Sequence, residues 1–305
     1  MTEPAFFFER IRAELQTARD LWGKHVYAIY DGARHPGIGA LLKELETPAS
    51  DLFAFVMMEE LWHVAPYLAE VKLDDNEREW WQSDQSVPAK ALFLISDAPL
   101  DEIAPHFSRY ILVEDYRPKE VIFRFYDPTV LQPFLEVSTD AERKRLFGPA
   151  LAMLAHDPDD MPIGTEPALL VWHHPDHHLP FAERSRFEER EEFPFKLRLE
   201  HEMAFREQAR ETYIAKASEY VERECLAKLM RSDQPEPRPY VERAMELGPT
   251  LGLTSGQMVS MLAKAIVLSG EDSISARLRE VPEKDRSVKM REIDLELTRV
   301  RVQNA

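Results

Sequence analysis

The segment His173-His174-Pro175-Asp176-His177-His178 places four imidazoles and a carboxylate within six residues, a donor set suited to zinc or nickel. Pro175 keeps the segment from forming the helix that would align His174 with His178. No second cluster supplies a glutamate base or further ligands. The segment is therefore read first as a polar loop, with a metal-binding enzyme or sensor centred on His173 to His178 as the alternative. Glu60-Leu61-Trp62-His63 has the Glu-x-x-His spacing of di-iron bundles, but such a site needs two of these motifs and the sequence has one. His201-Glu202-Met203-Ala204-Phe205 begins like a zinc-protease helix, yet Phe205 stands where the second histidine must be, and a chelating pair on one face is absent.

Phosphate chemistry fares no better. Gly37-Ile38-Gly39-Ala40-Leu41-Leu42 lacks the third glycine of a dinucleotide fingerprint, and the sequence has neither a P-loop nor a Gly-x-Ser-x-Gly elbow. The run Glu188-Glu189-Arg190-Glu191-Glu192 reads as a solvated helix start or linker. The expectation is a chain that is not an enzyme, uses no cofactor and works by holding another protein.

Charge points the same way. Residues 1–182 hold 16 Lys and Arg against 31 Asp and Glu, whereas residues 183–305 hold 22 against 24. So acidic a first part repels nucleic acid and anionic lipid, whose binding depends on clustered Lys and Arg, and it suits a basic partner. The Phe6-Phe7-Phe8 run is too short and too closely flanked by charge to be a signal-peptide core. No stretch approaches the ~20 apolar residues that span a bilayer. The single cysteine, Cys225, excludes an internal disulfide and fits a reducing compartment, so a cytoplasmic location is expected.

With 305 residues, 44% of them apolar, and 22 prolines interrupting the elements, two domains are expected, 1–180 and 181–305. Ala5 to Trp22 carries Phe8, Ile11, Leu15, Ala18 and Leu21 at helical spacing. Strands are expected at Val26 to Tyr30, Leu52 to Met57, Ala91 to Ile95, Ile111 to Val113, Val121 to Phe125 and Ala168 to Trp172. The short Tyr116-to-Lys119 connection implies a hairpin. From Pro194 to about Arg231 neither Pro nor Gly interrupts a long helical pattern, which Asp233-to-Pro239 then breaks. A Thr254-x-x-Gln257 capping box opens a helix closing near Gly270, and a last helix runs from about Pro282 to Val300. The fold class is α+β: an N-terminal mixed sheet with packed helices, followed by an all-α C-terminal region.

Four segments occur in a telling order: Tyr27-Ala28-Ile29-Tyr30-Asp31-Gly32-Ala33-Arg34, Ala65-Pro66-Tyr67-Leu68, Phe123-Arg124-Phe125-Tyr126-Asp127-Pro128-Thr129-Val130-Leu131 and Phe147-Gly148-Pro149. Over roughly residues 25–150 the chain resembles the type VI secretion adaptor-chaperones, often called Tap or TEC proteins. The family's usual pattern has arginine after Tyr-Asp-Pro where this sequence has Thr129, so an ion pair made there is absent or rebuilt from Arg124. The resemblance implies a cytosolic factor that binds one toxin effector and helps load it onto the VgrG spike, with no catalytic residues. Physically, Asp31-Gly32 ends a strand, and Asp127-Pro128 ends another and caps a helix. Asp31, Arg124 and Asp127, with Tyr126 alongside, form a candidate ion network, structural or partner-binding.

Overall fold

A computed structural model describes residues 3–22, 25–54, 59–83, 90–156, 169–179, 194–280 and 286–303. The chain opens with α1 (Glu3–Trp22), which buries Ile11, Leu15 and Ala18 at the expected spacing and leaves Leu21 exposed. There follow β1 (His25–Tyr30), α2 (Ile38–Glu44), β2 (Ala49–Asp51), a 3-10 turn (Glu59–Val64), β3 (Tyr67–Glu70), α3 (Asp75–Ser83), β4 (Leu92–Ser96) and α4 (Leu100–Ser108). Next come the hairpin β5 (Leu112–Glu114) and β6 (Glu120–Ile122), then α5 (Pro128–Val137), α6 (Asp140–Phe147), β7 (Ala150–His156) and β8 (Leu169–His173).

Six strands form one sheet in the order β2-β3-β1-β4-β7-β8, and β5-β6 stands apart as a second, two-stranded sheet. The α+β class holds, but every described strand pairing is antiparallel where a mixed sheet is expected from sequence. Parallel pairing among the described residues is confined to the bridge between Glu114 and Lys196. Both faces of the large sheet are covered. Tyr27, Ile29, Leu92, Leu94 and Met153 face a core shared with Phe107 of α4, Phe134 of α5 and Phe147 of α6. Val26, Ala28, Tyr30, Phe93 and Ile95 face the opposite core, built from α1, Ile38 and Leu42 of α2, and Trp80 and Trp81 of α3. Burial on both faces explains why β1 and β4 read as unbroken apolar runs rather than as alternation.

Two of the expected strands lie elsewhere or end early, and β3 and β7 are not among those expected. The one placed at Leu52 to Met57 lies earlier, at β2: Asp51 accepts the Phe53 amide on its side chain at 2.7 Å and turns the chain there, and residues 55–58 lie outside the described set. β6 stops at Ile122: the Phe123 amide still bonds the Ile111 carbonyl across the hairpin, but the Asp127 amide then donates to the Arg124 carbonyl, which curls the chain into a turn.

The contact pattern divides the chain into two compact units, Met1–Phe205 and Arg206–Ala305. The 180/181 boundary drawn from sequence falls at the edge of residues 180–193, which are not described. Phe195 and Leu197 belong to the first unit's core, and the Glu114 amide and carbonyl bond the Phe195 carbonyl and the Leu197 amide, which holds this segment along β5. The next helix, α7 (Leu199–Leu229), starts in the first unit and runs through the second; at about 1.5 Å per residue it is about 46 Å long.

The second unit continues with α8 (Arg238–Thr250), α9 (Gly256–Ser269), α10 (Glu271–Glu280) and α11 (Arg286–Gln303). Its core gathers Val221, Leu229, Val241, Leu262, Ile266, Ile274, Leu278 and Ile293. α9 ends at Gly270 as expected, but its cap is Ser255, whose hydroxyl accepts the Met258 amide at 3.3 Å, one residue beyond the Thr254 box read from sequence. Two lysines are buried here: Lys264 pairs with Glu224 at 2.8 Å, and Lys289 donates to the Leu251 carbonyl at 2.5 Å, just past the end of α8. Cys225 is buried, and that burial pushes its thiol up to about 11.

Candidate functional site

The four residues singled out in the sequence converge. Asp31 follows the last residue of β1 and accepts the Ala33 amide on its side chain at 3.0 Å, while its carbonyl accepts the amides of Arg34 and His35. The turn is possible because residue 32 is glycine: a Cβ there would lie 2.2 Å from the Ala65 carbonyl oxygen. Asp127 caps α5, accepting the Thr129 amide at 3.1 Å and the Thr129 hydroxyl at 2.8 Å, with Pro128 in the first helical turn.

Arg124 donates a short hydrogen bond to Asp31 and lies 3.7 Å from Asp127. A second cation, not counted from the sequence, completes the cluster. Arg34 reaches Asp127 at 2.6 Å and Asp31 at 3.7 Å. The carboxylates are buried, at 3% and 7% side-chain exposure, whereas the side chains of Arg34 and Arg124 keep 34% and 40%. Thr129 makes no ion pair; it supports Asp127 by hydrogen bonding, and the charges come from Arg34 and Arg124. Burial works to lower Arg124, but Asp31 in particular, with Asp127, holds it above the ordinary arginine range. Tyr126 is buried under the Arg124 guanidinium, 5.9 Å from ring centroid to cation, and burial followed by the Asp31 charge pushes its hydroxyl up to about 12. Strand alternation does not hold here, because Phe123, Phe125 and Tyr126 are all buried once β6 has ended.

The arrangement has two inward carboxylates neutralised by two cations that also face solvent. It locks the turn after β1 to the start of α5, across a separation of 93 residues for each long-range pair. It also presents two guanidinium edges at the surface beside a buried aromatic hydroxyl.

The histidine segment is arranged differently. His174 is buried, with its Nδ1 accepting the Asp176 amide at 2.8 Å. Asp176 is paired with Lys144 at 2.7 Å, and His177 Nδ1 meets the His174 carbonyl at 2.9 Å. Burial, then the neighbouring His177, holds His173 below the ordinary imidazole range. Among the described residues, no group of three or more His, Cys, Asp or Glu is placed to hold a metal ion. Glu60 and His63 lie on the 3-10 turn rather than on a bundle helix, and His63 is exposed.

The roles of two further titratable groups are not readable from the sequence. His201 is fully buried against the Phe134 ring, 4.7 Å between centroids. Its Nδ1 accepts the Arg198 amide at 3.0 Å, and its Nε2 lies 3.2 Å from Ser138 Oγ, which donates to the Phe134 carbonyl; that places the ring proton on Nε2. His201 thus caps the start of α7, while Arg198 grips Glu142 at 2.7 Å. Glu77 is the second: its carboxylate accepts the Leu73 amide at 2.6 Å inside the α1-α3 face, and burial pushes it up to about 7.

Comparison with known proteins adds one finding. Residues 26–145 match the family model described as Domain of unknown function (DUF4123), a span that holds the whole Asp31-Arg34-Arg124-Asp127 cluster and covers less than half of the chain. No curated protein and no solved structure matches the chain.

Proposed function

We propose that this chain is an adaptor-chaperone that binds a toxin effector of a type VI secretion system in the cytoplasm and helps load it onto the VgrG spike, by binding rather than by catalysis. The reading is carried by the match over residues 26–145 to a family associated with such adaptors, together with the Tyr27-to-Arg34 and Phe123-to-Leu131 segments that the ion cluster ties together. The acidic balance of residues 1–182 agrees with capture of a basic or apolar segment of the effector. No helix among the described residues is long and apolar enough to cross a membrane.

The test is capture of partners by the tagged full chain from its own bacterium, identified by mass spectrometry, followed by deletion of the chain. A toxin and VgrG are expected among the captured proteins, and deletion is expected to leave the toxin less soluble and absent from VgrG. An equally soluble and equally loaded toxin in the deletion strain sinks the adaptor reading. Loss of capture on adding EDTA moves attention to His173 to His178.

A further inference from the structure

The large sheet ends at β2, and among the described residues no strand lies on its outer side. The Pro48 carbonyl accepts the Glu70 amide at 2.9 Å and the Leu52 amide donates to the Pro66 carbonyl at 3.0 Å. The Pro48 carbonyl, Ser50 and the Leu52 amide therefore face β3, the Leu52 carbonyl accepts the Ser108 hydroxyl of α4, and Ala49 turns its N–H and C=O to the open side. Such an edge is a template for a further strand.

Beside this edge a groove of about 580 Å³ opens against α4, lined by Ser50, Leu100, Asp101, Ala104 and Pro105. The volume is within the range of about 300–1,000 Å³ typical of binding clefts. Its walls are mostly apolar, and its one charged lining group is Asp101, in the first turn of α4, which is exposed and has no cation or hydrogen-bond donor on it among the described residues. Glu102 adds a second negative charge in the same turn. An apolar slot with an unneutralised carboxylate beside an open strand edge selects its occupant by charge as well as by shape.

We propose that this groove seats an extended segment of a client protein, which adds to the sheet at Ala49, places a large apolar side chain between Ser50 and Pro105, and sets a lysine or arginine two residues away against Asp101. The two-residue spacing follows from strand geometry, which puts alternate side chains on the face toward α4. That the client is a secreted toxin rests on the adaptor reading; the chemistry of the groove does not.

The experiment uses the full chain and a labelled synthetic peptide of about twelve residues with Leu and Lys alternating on one face and Thr on the other, read by fluorescence anisotropy. The wild type is expected to bind it, Asp101→Asn to weaken binding about fivefold, and Ser50→Trp, which plugs the slot, to abolish it. Asp140→Asn, an exposed acid on α6, and replacement of the peptide's Lys by Glu are the charge controls; the first is expected to leave binding unchanged and the second to remove it. No binding by the wild type, Ser50→Trp binding like the wild type, or Asp140→Asn weakening as much as Asp101→Asn overturns the proposal. So does a wild-type dimer in sedimentation that Ser50→Trp dissociates, which would assign the groove to a second copy of this chain. A toxin captured and loaded equally by wild type and Ser50→Trp leaves the adaptor reading standing and removes the groove; peptide binding without toxin loading does the reverse.

Discussion

At the scale of single residues, charge placement sets the measurable consequences. Glu77 is held up to about 7 inside the chain against 4.5 when free, so the folded state keeps a proton that the unfolded state releases. Stability is then highest below about pH 4.5 in this respect, falls as pH rises to about 7 and levels off above it, a loss of about 3 kcal/mol at 1.36 kcal/mol per pH unit. Glu77→Gln is expected to melt higher than the wild type at pH 8 and to lose that advantage by pH 5; an equal difference at both pH values counts against the burial argument. Asp31→Asn removes the charge that Arg124 and Arg34 share and is expected to cost about 1–3 kcal/mol in urea unfolding, less than a fully buried pair because both guanidiniums reach water. A cycle with Arg124→Gln should return a coupling well above zero. Asp31, Arg124 and Asp127 are legible in sequence because each sits beside a turn signal. Arg34 is not, because its side chain is brought to Asp127 only by the turn in which the Asp31 carbonyl accepts the Arg34 and His35 amides, and nothing in the sequence pattern shows that the turn winds this way.

At the scale of elements, backbone conformation decides what the pattern leaves open. Gly148 takes φ +48° at the end of α6, and a Cβ there would sit 2.1 Å from the His106 ring. Gly148→Ala is expected to cost about 1–3 kcal/mol from the backbone alone, with the clash added, and urea unfolding measures it. In the second unit, Ser255→Ala should cost about 1 kcal/mol and Thr254→Ala close to nothing, since only Ser255 accepts the Met258 amide. The reverse ranking would restore the box read from sequence. β1, β4 and β8 are legible as β-branched and aromatic runs. β7 is not, because Ala150-Leu151-Ala152-Met153-Leu154-Ala155 is made of strong helix formers, and its strand state comes from pairing between β4 and β8. The long helix α7 starts five residues after Pro194 because Phe195 and Leu197 are drawn into the first core and His201 and Arg198 fix its first turn.

At the scale of the whole molecule, two units with separate cores imply separable folding. A chain of residues 199–305, which keeps α7 whole, is expected to show helical circular dichroism and a cooperative melt, since the Val221-to-Ile293 core lies entirely within it. A broad, non-cooperative loss of signal would mean that this core depends on the first unit. Cys225 gives that question a direct readout. The only thiol in the chain lies inside the second core and is poorly ionised at neutral pH, so a thiol reagent can reach it only when that unit opens. The rate at which the native protein is labelled is thus a clock on opening of the second unit. Run with and without a bound client, it reports whether occupancy of one unit is felt in the other.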